Sequence, residues 1–274
     1  MGDDLGLFGP GSVSWRVHRE PVLWLAGIRA LYLQALHPRA VAGVVQNSDI
    51  RRDCWPRLIR TAEYVGTVVY GSTEQAEKAG RRVRRIHDRL RAHDPATGEE
   101  FRVDDPHLLR WVHVTEVESF VSTARRARIG LSDDDIDRYY AEQTRAAALV
   151  GLDPDTVPAS AAAVDEFYRS IRPELALTDE ARDVARFLTV PPMPGRVVAI
   201  GRPAWLGLAT AAVALLPRWA RRLYRLPGLP GTDVAASLTV MGLRGVINAL
   251  PVREGPAYRD AMRRAERVRT GVAA

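Results

Sequence analysis

The chain of 274 residues contains little cysteine, little lysine and no long apolar run. Cys54 is its only cysteine, so an intrachain disulfide cannot form, and one thiol cannot build a thiolate zinc site or an iron–sulfur cluster. The longest uncharged apolar stretch, residues 203–217, is shorter than the roughly 20 residues of a membrane-spanning helix. The first five residues lack the positive and apolar regions of a secretory signal. We therefore expect a cytoplasmic protein without a transmembrane segment.

Lysine is almost absent as well, since Lys78 is the only one among 39 basic residues, and the net charge is +6. The excess of arginine over lysine fits the coding bias of a GC-rich genome as well as selection for binding a polyanion. The positive charge is therefore weaker evidence for nucleic-acid binding. Basic clusters at residues 81–91, 218–225 and 263–269 lie on separate predicted helices without interleaved aromatic residues. We expect no nucleic-acid partner. The apolar residues 205–215, followed by arginines, leave peripheral membrane contact open.

The motifs of hydrolases and nucleotide-binding folds are missing, because the sequence has no Gly-x-Ser-x-Gly, Walker, His-Glu-x-x-His or Rossmann pattern. It has instead a succession of helix signals, with proline at first-turn positions and glycine after predicted ends. No window of about 4 to 8 residues alternates as a strand does. With 46% hydrophobic residues, the sequence predicts an all-α, single globular domain of roughly ten helices over residues 1–274.

The same proline, glycine and capping signals also predict where the helices lie. The predicted segments are 21–36, 38–48, 56–70, the helix after the Ser72 and Gln75 capping box, 106–130, 132–151, the segment that Thr178 caps, 205–216, 232–250 and 256–270. The first of these is apolar on nearly every face and should be central. Three looser stretches remain, at residues 93–101, 151–158 and 191–203.

A histidine in an arginine-rich segment is the most informative local feature. Arg84, His87 and Arg91 are spaced to share one stripe of a helix. A neutral imidazole can bind a metal, and arginines one turn away can bind an anion, which is the combination that haem requires for its iron and its propionates. An exposed arginine-rich helix with an incidental histidine is the alternative, and both interpretations stay open on these residues alone.

A second polar face follows Pro56. Arg57, Arg60, Thr61 and Tyr64 occupy positions i, i+3, i+4 and i+7 of a predicted helix. Two cations, a hydroxyl and a phenol on one face can line a pocket and hydrogen-bond an oxygen ligand or an anionic cofactor. Plain amphipathicity, with this face in water, is the alternative interpretation.

His113 and Glu116 lie one turn apart in one predicted helix, which is the spacing of di-iron bundles in reverse order. A di-iron site needs further carboxylates at matching depth, and Glu63, Glu77 and Glu142 are candidates. No second pair of glutamate and histidine occurs at this spacing. We therefore expect His113 to lie beside a cofactor or in the core rather than to bind a metal directly.

Six segments in order resemble the latex-clearing protein (rubber oxygenase) family and the related MpaB-type oxygenases, which are helical proteins that bind b-type haem. These segments are residues 36–44, 57–62, 68–72, 83–87, 111–115 and 137–142. Each is unspecific alone, and their order makes the resemblance fairly specific. It covers about residues 10–190, with residues 191–274 as additional C-terminal helices.

The resemblance implies a haem b pocket enclosed by the helices, with His87 as the proximal iron ligand. The family's distal pattern, Arg-x-x-Lys-Thr, matches at Arg57 and Thr61. Arg60 stands where the rubber-cleaving members have lysine, and a guanidinium stays charged and cannot offer a nitrogen to iron. We expect two catalytic residues, Arg60 and Thr61, and five cofactor-binding residues, Arg57, Tyr64, Arg84, Arg91 and His113.

The function that follows is oxidation of a small apolar metabolite by a haem-dependent oxygenase that uses dioxygen or peroxide. The alternatives are a non-catalytic haem protein for sensing or storage, a di-iron carboxylate oxidase, and a basic helical protein that binds lipid or nucleic acid. A homodimer is left open, because exposed apolar helix faces cannot be distinguished from core faces in the sequence.

Overall fold

The computed structural model describes residues 4–48, 50–193, 195, 198–226, 231–249 and 255–270. Its helices are α1 (Val13–His18), α2 (Trp24–Gln34), α3 (Pro38–Asn47), α4 (Ile50–Tyr70), α5 (Thr73–Arg89), α6 (Pro106–Arg126), α7 (Asp133–Leu149), α8 (Ala161–Ile171), α9 (Asp179–Thr189), α10 (Val198–Ala214), α11 (Arg218–Leu223), α12 (Thr232–Ala249) and α13 (Pro256–Thr270). Two strands, β1 (Arg91–His93) and β2 (Glu100–Arg102), form an antiparallel pair. The all-α prediction is confirmed, apart from this hairpin. Among the described helices, none combines the length and the apolar character of a membrane span.

Helix α2 lies at the centre, where it packs along α6 and against α10. Its side chains are buried on nearly every face, as its apolar sequence predicts. The main core cluster runs from Val13 in α1 to Val240 in α12. This shared core therefore joins helices from distant parts of the chain. Each of its fully buried large aliphatic side chains contributes about 1.5–3 kcal/mol to the stability of the fold.

Side-chain caps fix the starts of the helices that carry the candidate site residues. Ser72 and Gln75 form the predicted capping box of α5, and Ser132 and Asp135 form that of α7. Asp105 caps α6, where its carboxylate accepts a hydrogen bond from the backbone N–H of His107 at 2.8 Å. Local sequence therefore sets where these helices begin.

Two helices begin earlier than their prolines predict, because α4 contains Pro56 and α10 contains Pro203. A proline inside a helix removes a backbone hydrogen bond, so the preceding turns need support from elsewhere. Trp55 gives this support: its Nε1 donates to the carbonyl of Pro192 at 2.8 Å, and its ring meets Trp205 edge-on with centroids 4.9 Å apart. Tertiary packing of α4 against α10 thus overrides the proline signal.

The hairpin of β1 and β2 occupies a stretch predicted as loop and shortens α5. Helix α5 ends at Arg89, so Arg91 lies in β1 and the prediction that it shares a helical stripe with His87 is wrong. Ala92 pairs with Phe101, and both are buried in a small cluster that packs under α3. Each strand has three residues, too few for an alternating pattern to be recognised in the sequence.

Gly80 sets how closely α5 approaches α7. A Cβ at this position would lie 2.7 Å from the carbonyl oxygen of Leu149 and 2.8 Å from its Cβ. We expect Gly80→Ala to lower the free energy of unfolding by about 1–3 kcal/mol, because one of the two backbones must shift. Denaturant unfolding followed by circular dichroism measures this change.

Gly66→Ala is the matched control, since no heavy atom beyond its own helix lies within 4 Å of an added Cβ there. Alanine in the middle of α4 should raise the free energy of unfolding by up to about 1 kcal/mol. Equal effects of the two substitutions would contradict a close contact between α5 and α7.

Candidate functional site

Helices α4, α5 and α6 bring most of the predicted site residues to one region. Burial raises the pKa of Tyr64 in α4, Glu116 of α6 raises it further, and Arg84 of α5 lowers it, so these groups lie close together. Nearer the start of α4, the positive charge of Arg57 contributes to lowering the pKa of His87 on α5. Helices α4 and α5 therefore lie side by side with opposite directions, and Glu116 of α6 is near enough for its charge to act on Tyr64.

His87 is an unpartnered polar group on α5. Its Nδ1 is enclosed and makes no hydrogen bond with any residue that the structure describes. Burial lowers the pKa of His87, and Arg57 adds to this effect while Asp104 opposes it, so the ring is neutral near pH 7. A neutral imidazole held without a partner suits a metal ligand. The same helix carries Lys78, the only lysine, on its exposed side.

The two arginines predicted to flank His87 have different surroundings. Arg84 lies one turn before His87 on α5, and the methylene groups of its side chain lie against Gly151. Arg91 turns back, and its Nη1 donates to the carbonyls of Asp88 and Leu90 at 2.6 and 2.9 Å. The structure therefore places Arg84, but not Arg91, on the face of α5 that carries His87.

The polar face predicted for α4 divides into an inner and an outer part. Arg57 and Tyr64 are partly buried, and Nη1 of Arg57 donates to Oγ of Ser48 at 2.7 Å. Arg60 and Thr61 are exposed, and the hydroxyl of Thr61 donates to the carbonyl of Arg57 at 3.0 Å. Only the inner pair points toward α5 and α6.

His113 and Glu116 lie deep in the protein but keep accessible surface. Burial lowers the pKa of His113 to about 4 and raises the pKa of Glu116 to about 7, while both side chains remain only partly covered. Both groups are therefore shielded from bulk water, which disfavours their charged forms. His18 and Tyr139 border the same region: Nε2 of His18 is 3.0 Å from the Tyr139 hydroxyl, whose pKa is raised by burial and by Glu116.

The carboxylates nominated for a di-iron site do not join His113. Glu142 accepts hydrogen bonds from the backbone of Val13 and from the backbone and hydroxyl of Ser14, at 2.7–3.1 Å, and so caps α1. Glu63 and Glu77 are exposed. These three glutamates therefore do not form a di-iron site with His113 and Glu116.

A cavity of about 1150 Å³ lies between α3, α9 and α10. Apolar side chains such as Val45, Val190 and Val213 form much of its wall. None of the predicted site residues lines it, although Ser48 at its wall accepts the hydrogen bond from Arg57. The cavity therefore adjoins α4 near the residues that face His87.

Glu116 should make the stability of the protein depend on pH. Its pKa lies above the ordinary value of 4.5, so the folded state holds the proton more tightly than the unfolded state. This contribution to stability is complete below the unfolded pKa and is lost as the pH rises through about 7. We expect Glu116→Gln to be more stable than the parent by about 2–3 kcal/mol at high pH and similar to it near pH 4.

Chemical denaturation of parent and variant at both pH values measures this difference. His18 and His113 titrate in the opposite sense, but they are present in both proteins and cancel in the comparison. His113→Gln is the reciprocal control, because it removes a group that opposes folding as the pH falls from 6.5 to about 4. A difference for Glu116→Gln that is independent of pH would contradict the burial of this carboxyl.

A second cluster of side chains was not predicted. His37, His107 and Glu174 meet near the starts of α3 and α6. Both histidines adjoin prolines at helix starts, His37 before Pro38 and His107 after Pro106, but no sequence pattern pairs them. No sequence signal connects Glu174 with either histidine.

Comparison with known proteins places the chain in a family. No curated protein and no solved structure matches it. The profile described as "ER-bound oxygenase mpaB/B'/Rubber oxygenase, catalytic domain" matches residues 15–249. This range includes α2 to α12, whereas the six resembling segments end at residue 142. The chain therefore belongs to the family of MpaB and rubber oxygenases, as the sequence predicted.

Proposed function

We infer that the chain is a haem b-dependent oxygenase that uses dioxygen or peroxide to oxidise a small apolar metabolite. The observation that carries this proposal is the enclosed, unpartnered Nδ1 of His87 in a chain that belongs to an oxygenase family. Leaving a buried polar atom unpaired costs about 1–3 kcal/mol, and coordination of iron by the imidazole would offset this cost.

The residues around His87 fit a haem. His87 would bind the iron, and Arg57 and Arg84 would bind the propionates, because both guanidinium groups lie on the helices that face this region. Arg91 contributes less, since its guanidinium already binds two carbonyls. When bound, haem supplies an iron centre that activates dioxygen or peroxide.

The polar residues of α4 and α6 have separate roles in this proposal. Arg60 and Thr61 lie on the outer part of α4 and are exposed, so a catalytic role for them requires a rotation of their side chains toward α5 and is the part of the proposal that the geometry supports least. Tyr64 and His113 orient the cofactor from the inner side. Glu116 has a pKa near 7, so its carboxyl can hold or release a proton at neutral pH.

The cavity between α3, α9 and α10 supports an apolar substrate. Its volume of about 1150 Å³ exceeds what a small metabolite fills, and its wall is largely aliphatic. The hydrogen bond from Arg57 to Ser48 links this wall to the helix that faces His87. An apolar molecule held there would bury part of its surface against this wall, near the helix that faces His87.

Haem loading and turnover test the proposed function. The purified protein should bind one haem with a Soret band and should consume oxygen or peroxide with members of a panel of apolar alkenes. Thr210 lies in the cavity wall and is exposed, so the larger side chain of Thr210→Trp should obstruct the cavity, lower turnover and keep the Soret band. Thr239→Trp, on the exposed side of α12 and outside the cavity, is the matched control and should keep both.

The other outcomes separate the alternatives. Absence of a Soret band after loading overturns the proposal. Haem binding without turnover on any substrate favours sensing or storage. Iron without porphyrin in the purified protein favours a di-iron enzyme instead.

A further inference from the structure

The cluster of His37, His107 and Glu174 lies apart from the candidate haem residues. His37 precedes α3, His107 is the second residue of α6, and Glu174 ends a short 3-10 helix, Arg172–Glu174. Oε2 of Glu174 is 2.7 Å from Nε2 of His107 and 3.6 Å from Nε2 of His37. One ligand atom from each side chain lies within 4.8 Å of the other two.

His37 is the most unusual member of this cluster. The residue is only 3% exposed, and both ring nitrogens are enclosed without a hydrogen-bond partner among the described residues. A buried nitrogen without a partner costs about 1–3 kcal/mol, and native structures rarely keep one without a reason. The Nε2 atom is the one that faces the Glu174 carboxylate.

The surrounding packing holds the three side chains in place before any ligand binds. The backbone N–H of Ala176 donates to the carbonyl of Leu36 at 2.9 Å, which fixes the segment after Glu174 against the residue before His37. The His37 ring meets the rings of His107 and Trp111, with centroids 5.9 and 6.2 Å away. Because Trp111 is completely buried, the cluster rests on the core.

The donor set selects one class of ligand. Two imidazole nitrogens and one carboxylate oxygen suit borderline first-row cations such as Zn²⁺, whereas Mg²⁺ and Ca²⁺ prefer oxygen donors throughout. His107 and Glu174 are each about half exposed, at 44% and 45%, so the outer side of the cluster is open to water. Three protein ligands with an open fourth position are an established zinc arrangement.

We propose that His37, His107 and Glu174 bind a divalent cation of the zinc class, with water in the fourth position. The cation would connect three segments that lie far apart in the sequence, the start of α3, the start of α6 and the turn after α8. Arg39, two residues after His37, does not fill the site, because its guanidinium lies over the Phe101 ring and near Asp94.

Titration of the metal-free, haem-free full chain with Zn²⁺ tests this proposal, and Co²⁺ serves as a spectroscopic probe. We expect saturable binding of one Zn²⁺ per chain, a melting temperature that rises with Zn²⁺, and visible absorption of four-coordinate Co²⁺. Glu174→Gln and His107→Ala change half-exposed side chains and should leave the fold intact. Each should weaken Zn²⁺ binding by at least about 10- to 100-fold, the loss expected even for an outer partner of a ligand.

His93→Ala is the matched control, since His93 is an exposed histidine outside the cluster, and it should bind Zn²⁺ like the parent. His87→Ala should also bind Zn²⁺ normally, so failure of the haem proposal and failure of the zinc proposal are distinguishable. Absence of saturable binding overturns the proposal. Binding that is equally strong in Glu174→Gln and His107→Ala overturns it as well, because the cation would then lie elsewhere.

Discussion

His87→Ala should abolish haem binding and leave the helical fold unchanged. The side chain is partly accessible and makes no hydrogen bond with a described residue, so its removal breaks no contact that holds α5 in place. The proposed iron ligand is lost, and we expect the Soret band of the loaded protein to disappear. Absorption spectra and far-ultraviolet circular dichroism of parent and variant measure the two effects.

Chemical rescue makes this test specific. In His87→Gly, added imidazole should occupy the space of the missing ring and restore the Soret band. His93→Ala is the control, because this exposed histidine lies on β1 and away from α4. An unchanged Soret band in His87→Ala would show that iron is held by another residue.

Arg29→Ala should lower the free energy of unfolding by about 3–5 kcal/mol, the usual result of removing one partner of a buried ion pair. Arg29 is 1% exposed in the centre of α2. Its guanidinium donates twice to Glu118, at 2.6 and 3.1 Å, and also to Ser119 and to the carbonyl of Leu215. Without it, the carboxylate of Glu118 keeps only the hydroxyl of Tyr168 as a described partner.

Denaturant unfolding measures this loss, and two variants show its origin. Arg29→Met combined with Glu118→Gln should recover part of the stability, because no charge is then left uncompensated in the core. Arg125→Ala is the surface control: its nitrogen is 3.8 Å from Asp133 and both side chains are exposed, so the loss should stay below about 1 kcal/mol. A loss below that level for Arg29→Ala would contradict the role of this network.

Helix starts could be predicted from the sequence wherever a side chain caps the backbone. Ser72, Asp105, Ser132 and Thr178 all cap the helices predicted for them. Pro56 and Pro203 lie inside helices, so these two prolines did not mark the starts of α4 and α10. The contacts of Trp55 with Pro192 and Trp205 keep the turn before Pro56 helical. The helices α1 and α11 have only six residues each, and α8 begins within an alanine run, so apolar periodicity did not reveal them.

The candidate site could be predicted only as far as helical spacing reaches. Spacing placed Arg57 and Tyr64 on one face of α4, and both turn inward in the structure. It failed for Arg91, because the hairpin begins where the helix was expected to continue. Glu174 could not be predicted, since only tertiary packing brings it beside two histidines that precede it by more than sixty residues.

The single lysine on α5 gives the protein a built-in labelling position. Amine-directed fluorophores react with the ε-amino group of Lys78, which is exposed, and with few other groups of a chain whose remaining cations are guanidinium. Lys78 precedes His87 by nine positions, which is about 13.5 Å along the helix axis and half a turn around it, so the two side chains lie on opposite faces of α5. A dye on Lys78 would therefore not touch a porphyrin bound at His87, but it would lie close enough for energy transfer to it, and loss of its emission would report cofactor uptake in real time.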